Sequence, residues 1–81
     1  MIAGTIADQN SGELLAGVEV HLEGTGQKTY TDFDGNFIFK VRPGEYTLVT
    51  NYISYEKKAE KLAVNQKDNN VKIQLKNAIE L

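Results

Sequence analysis

No cysteine occurs in the 81 residues, so neither a disulfide nor a thiolate metal site can hold the fold together. The absence is neutral about compartment, fitting the cytoplasm and equally a bacterial periplasmic domain that does without staples. The chain has a single histidine, and its only serines are Ser11 and Ser54. Nucleophilic catalysis needs an activated nucleophile beside a base, and that composition offers little to build one from. Basic charge is not in excess either: nine Lys and Arg face eleven Asp and Glu, a net charge of −2. Nucleic-acid partners call for a clustered basic face, so none is expected. No apolar run approaches the ~20 residues of a membrane-spanning helix. The N-terminus shows no basic-then-apolar signal peptide. The expectation is a soluble piece; in an exported parent the leader has been removed and Met1 is an added start residue.

What the chain does have is alternation and turn chemistry. Thr31-Asp32-Phe33-Asp34-Gly35-Asn36-Phe37-Ile38-Phe39 contains Asp34-Gly35, a strong signal for a two-residue turn because Gly accepts positive φ. After it, Phe37, Phe39 and Val41 alternate with Ile38, Lys40 and Arg42, the period-two pattern of a half-buried strand. The reading is a tight β-hairpin between a short strand over 27–31 and another over 36–41.

Similar units recur along the sequence. Ile2, Gly4 and Ile6 alternate with Ala3, Thr5 and Ala7, a first strand with a close-packed glycine. A polar loop, 9–13, precedes a second strand in which Val18, Val20 and Leu22 alternate with Glu19 and His21. Arg42-Pro43-Gly44-Glu45 is a turn, and a fifth strand runs from Tyr46 to about Tyr52. Residues 56–63 are good helix formers, but an isolated helix needs about 12–15 residues. With strands on both sides, the segment reads as an exposed sixth strand whose lysines discourage edge-to-edge pairing. Val71, Ile73 and Leu75 mark the last strand after a polar loop over 65–70, and 77–81 reads as the start of a linker.

About seven short strands without a convincing helix predict an all-β domain, a small antiparallel β-sandwich. The expected core is Ile2, Ile6, Leu15, Val18, Val20, Leu22, Phe37, Phe39, Val41, Tyr46, Leu48, Ile53, Val64, Val71, Ile73 and Leu75. A core this thin leaves no room for a buried cofactor. No catalytic residue, cofactor-binding residue or metal ligand is therefore assigned, and the chain is not expected to be an enzyme.

Each residue that hints at chemistry has a plainer reading. His21 lies on the strand face opposite Val20 and Leu22 and points to solvent, without the convergent partners of a base or ligand. Asp32-x-Asp34-Gly35-Asn36 copies the first half of an EF-hand loop, but Val41-Arg42 stands where the closing Glu belongs. Both carboxylates are instead expected to accept backbone N–H bonds in the turn. Gly24-Thr25-Gly26 lacks the Lys and the helix of a phosphate loop and reads as a turn. Tyr30, Tyr46, Tyr52 and Tyr55 offer material for a binding strip, though half-buried tyrosines are ordinary in sandwiches. Lys57, Lys58 and Lys61 interleave with Glu56 and Glu60, a mixed solvated face.

The order of these pieces resembles the carboxypeptidase regulatory-like domain, a transthyretin- or prealbumin-like sandwich of Greek-key type. More narrowly it resembles the version at the N-terminus of TonB-dependent, SusC-like outer-membrane receptors of Bacteroidetes. Ile2-x-Gly4-x-Ile6-x-Asp8 is similar to the family's opening strand. Ser11-Gly12-Glu13-Leu14-Leu15-Ala16-Gly17-Val18-x-Val20 resembles its second motif, with Leu14 and Ala16 in place of prolines. Gly24-Thr25 and then Thr29-x-Thr31-Asp32-x-Asp34-Gly35-x-Phe37 resemble its most specific run, Lys28 replacing a usual glycine. Pro43-Gly44-x-Tyr46-x-Leu48 and Tyr52-Ile53-Ser54-Tyr55 are similar to its closing strand and aromatic corner, Ser54 replacing another glycine.

The resemblance implies a domain over 1–76, with 77–81 leading toward the rest of a parent protein. It implies a non-catalytic accessory role at the periplasmic face of the outer membrane. The partners would be the receptor's own plug and barrel and periplasmic proteins, with no nucleic acid, no membrane span in this fragment, and a monomeric isolated state. The competing readings are an accessory domain of a secreted or surface peptidase and a carbohydrate- or peptide-binding module.

Overall fold

Period-two burial does produce strands throughout. The computed structural model describes residues 1–65 and 69–78, so part of the expected 65–70 loop and residues 79–81 of the expected linker lie outside the described residues. Seven strands follow one another: β1 (Ile2–Asp8), β2 (Glu19–Leu22), β3 (Gln27–Tyr30), β4 (Asn36–Phe39), β5 (Gly44–Asn51), β6 (Lys58–Val64) and β7 (Asn69–Leu75). They form two sheets, one ordered β4-β1-β7 and the other β3-β2-β5-β6. No helix occurs among the described residues.

The core lies between the sheets. Ile2, Ile6, Phe37, Phe39, Ile73 and Leu75 come from the three-stranded sheet, and Val20, Leu22, Leu48 and Val64 from the other. Leu15 and Val18, from the loop before β2, close it. Burying each such side chain stabilises the fold by about 1.5–3 kcal/mol. Val41, Tyr46 and Val71 pack against this cluster from partly buried positions. β6 is indeed an edge strand, and Lys58 Nζ reaches across to the other sheet, donating to the Gln74 carbonyl of β7 at 3.2 Å. Gly4 is close-packed as expected: a Cβ there would come 2.5 Å from Phe37 Cζ and 2.8 Å from the Val71 carbonyl oxygen.

Four sequence expectations need correction. First, β3 and β4 do not form a hairpin, because they lie in different sheets. The turn between them is tight, with Asp32 N–H on the Asn36 carbonyl (3.0 Å) and Gly35 N–H on the Asp32 carbonyl (3.0 Å). Beyond it Gly35 O accepts from Ile6 N–H at 2.9 Å, and β4 then pairs antiparallel with β1. Turn chemistry fixes a reversal locally but does not choose the edge on which the next strand lands. Second, the seven-stranded all-β sandwich is found as expected and is antiparallel at every pairing but one: β1 and β7 pair in parallel from Ile2↔Asn69 to Asp8↔Leu75.

Third, Ile53 is not core but 84% exposed. β5 stops at Asn51, Tyr52 continues the inward set of Tyr46, Leu48 and Thr50, and Ile53 falls on the opposite side; the left-handed turn at Ser54, φ 69°, then lets Tyr55 pack against the core as well. Fourth, Val49 is buried although it lies on the face opposite Leu48, flanked in register by His21 and Ala59. The chain beyond β7 remains tied to the body: Asn77 bridges Tyr55, and Ala78 N–H donates to the Ser54 carbonyl at 2.9 Å.

Candidate functional site

Residues 9–18, 31–35 and 52–57 all connect strands at one end of the sandwich, where β1, β3, β5 and β7 finish. Their geometry starts from Thr31. Its side chain is buried, and Oγ1 donates to the Leu15 carbonyl at 2.6 Å while accepting from Val18 N–H at 2.9 Å. Gly17 N–H donates to the Thr31 carbonyl (2.9 Å) and Thr31 N–H to the Val18 carbonyl (3.0 Å). One hydroxyl thus staples the 15–18 loop to the end of β3.

Asp32 shapes the next step. Its Oδ1 accepts from Asp34 N–H and from Asn36 N–H, both at 2.9 Å. Gly35 carries φ +74°, and a Cβ there would come 2.7 Å from the Ile6 carbonyl oxygen, so only glycine fits. Among the described residues no N–H bonds to the Asp34 carboxylate, so only one of the two expected capping roles is found. The turn presents Phe33 at its tip, 95% exposed.

Asp8 and Tyr55 join the other loops. The Tyr55 hydroxyl donates to Asp8 Oδ2 at 2.5 Å, and Asp8 Oδ1 accepts from Asn10 N–H and Ser11 N–H. These bonds, Tyr55's foremost, hold the Asp8 carboxyl below its usual range. The same bond pushes the Tyr55 hydroxyl up to about 12. Nothing in the sequence marks this pair, whose members lie 47 positions apart.

The remaining candidates disperse. His21 is half-buried on β2, beside Lys28 and Val49 in register. The Thr25 hydroxyl of Gly24-Thr25-Gly26 donates to the Leu22 carbonyl (2.9 Å) and accepts from Gln27 N–H (3.1 Å), a self-satisfied turn. The four tyrosines form no common strip. Tyr46 bonds the Arg42 carbonyl (2.8 Å) at the start of β5, while the rings of Tyr52 and Tyr55 meet 5.6 Å apart. Tyr30, Tyr52 and Ile53 line an open groove of about 470 Å³ with Gly17, Glu19 and Asn51. A second, of about 680 Å³, runs over Ala3 and Thr5 between Ile38 and Lys72. Among the described residues no three His, Asp or Glu side chains gather as a metal site, and no buried side-chain polar atom lacks a partner.

Comparison with known proteins fits this architecture. The sequence model of the CarboxypepD_reg-like domain matches residues 2–81. The chain belongs to that family. Two curated relatives, both from Formosa agariphila, are TonB-dependent receptor P3 (33% identical over 54 residues) and TonB-dependent receptor P39 (42% identical over 55 residues). The alignments cover 67% and 68% of this CarboxypepD_reg-like chain but only 5% of each receptor. A solved chain from a type II Cohesin-X-Dockerin complex of Acetivibrio cellulolyticus shares the fold, with a TM-score of 0.77 at 22% identity. That superposition covers 91% of this chain and 55% of the other. Within the CarboxypepD_reg-like domain, the run from Thr29 to Phe37 that carries the resemblance is the crossing between sheets. Thr31, Asp32 and Gly35 each have an architectural task there.

Proposed function

We propose that this chain is a non-catalytic N-terminal accessory domain of a TonB-dependent outer-membrane nutrient receptor, placed at the periplasmic face and acting through protein–protein contacts. The domain proper spans 1–76, with 77–81 leading toward the plug and barrel. The observation that carries this reading is the similarity to two TonB-dependent receptors in which the matched region is 5% of the length. The geometry supports it: the polar side chains at the loop end are used to hold loops in place, and the grooves are open to solvent. Such a surface suits contact with another protein better than the enclosure of a reacting group.

The test is the reading frame of the parent gene beyond Leu81. A plug and barrel sequence is the expected result; a zinc-peptidase motif, or no transporter sequence at all, overturns the proposal.

A further inference from the structure

Among the described residues Phe33 is the most exposed of the large hydrophobic side chains, at 95%, yet it sits on a tightly bonded turn. Four hydrogen bonds through Asp32 and the fit of Gly35 against Ile6 hold the turn in one shape. An exposed aromatic on a fixed support is already ordered for contact, so docking it costs little conformational entropy. The neighbouring loops add Leu14, 47% exposed, and Ile53, 84% exposed. Leu14 flanks the same turn, its Cβ lying 3.4 Å from where a Cβ on Gly35 would sit.

Charge at this end is net negative. Asp8, Glu13, Asp32 and Asp34 surround these tips, and no Lys or Arg occurs within 8–18 or 29–39. The positive charges at this end lie on the far side, where Lys57 follows Glu56 and the Lys76 carbonyl accepts from Glu56 N–H at 2.9 Å. Four carboxylates against a whole-chain charge of −2 mean that the rest of the molecule is net positive. An apolar anchor ringed by carboxylates complements an apolar pocket ringed by cations. The path of the chain points the same way, because the Asn77–Tyr55 bridge and the Ala78–Ser54 hydrogen bond bring residues 77–78 out at this end.

Taking the chain as the receptor domain proposed above, we infer that this loop end, anchored on Phe33, docks onto the remainder of the same receptor at an apolar pocket rimmed by lysine and arginine. A tethered partner sits at high effective concentration, so a contact of modest intrinsic affinity is enough.

Hydrogen exchange tests this by comparing the full-length receptor with the 81-residue chain alone. The expected result is exchange about tenfold slower over 12–16 and 32–36 in the receptor, because a docked hot spot excludes water. Phe33→Ala in the receptor returns those segments to the rate of the free chain. Ile38→Ala, which trims a 51% exposed residue on the outer face of the three-stranded sheet, leaves them slow. Both side chains are exposed, so an unchanged Tm of each 81-residue variant confirms that it folds. Equal rates in receptor and free chain, or equal effects of the two variants, overturn the docking. So does a dimer of the free chain that Phe33→Ala dissolves in sedimentation, which would assign the surface to a second copy. A receptor parent with unprotected loops removes this inference alone; a parent without plug and barrel removes the receptor reading.

Discussion

Replacing Thr31 by valine keeps the shape of the side chain and deletes the one hydroxyl that joins the 15–18 loop to β3. The Leu15 carbonyl loses its 2.6 Å donor and Val18 N–H its 2.9 Å acceptor. Val18 is fully buried and Leu15 nearly so, so water cannot substitute at either group without opening the core. An unsatisfied buried backbone group costs about 1–3 kcal/mol. Two of them, offset by about 0.8 kcal/mol for the added buried methyl, give a net loss of about 1–5 kcal/mol. A chain of this length has about 4–12 kcal/mol in all, so the substitution takes away a large share of the stability.

With an m-value near the ~1 kcal/mol/M expected for a small domain in urea, the midpoint should fall by about 1 M or more at constant m. The heat-denaturation midpoint should drop by about 5 °C or more. Thr31→Ser retains both hydrogen bonds and loses only a methyl, about 1 kcal/mol. Should valine prove no worse than serine in parallel urea titrations, the hydroxyl is not the staple and the reasoning fails.

Other substitutions probe separate features. Gly4→Ala would force a Cβ against the buried Phe37 ring and should cost about 1–3 kcal/mol by overpacking; Phe37→Leu in the same chain should recover part of it, and strict additivity in urea titrations would argue against the clash. Ser54→Gly relieves a left-handed serine at φ 69°. It should raise stability by about 0.5–1 kcal/mol, the left-handed strain of about 1–2 kcal/mol exceeding the added chain entropy, and a lower melting temperature would refute it. Tyr55 titrates near 12 in the fold against 10.0 ordinarily. Its protonated form is therefore favoured by folding, and its stabilisation is complete below pH 10 and lost as pH rises from 10 to 12. Asp8 has the opposite sign: its depressed carboxyl stabilises above the ordinary value of 3.8 and ceases to as pH falls through its lower folded value. Tyr55→Phe should flatten the alkaline limb of melting temperature against pH, and an unaltered limb would show that the pair does not set it.

The sequence made the strands legible because each one alternates. Ile2 and Ile6, Val18, Val20 and Leu22, Phe37 and Phe39, and Ile73 and Leu75 all fell inside as their spacing required. Pairing partners were not legible, because a strand's own residues do not say which edge it will join. That is why Asp34-Gly35 suggested a hairpin where the chain changes sheets, and why nothing marked β7 as the parallel neighbour of β1. Ile53 misled because an isoleucine beside a strand reads as core, although the inward set of β5 is Tyr46, Leu48 and Thr50 and continues at Tyr52, which leaves Ile53 on the opposite side just before the left-handed Ser54. At the loop end, the turn roles of Asp32 and Gly35 were legible from local chemistry, but that of Thr31 was not, since its staple depends on Leu15 and Val18, 16 and 13 positions away. Phe33 sat unmarked between two aspartates, where neither period assigns it a face. Its exposure emerges only once the turn around it is fixed.

The side-by-side parallel pairing of the first and last strands has a mechanical consequence. Tension applied at Ile2 and at Leu75 in opposite directions slides β1 along β7 instead of peeling it away, and the register pairs from Ile2↔Asn69 to Asp8↔Leu75 resist together. An antiparallel arrangement of the same two strands would put both points of attachment at one end and let the bonds rupture one after another, like a zip. A domain strung in line between two neighbours in this way behaves as a stiff link, able to pass a tug along the polypeptide before it yields.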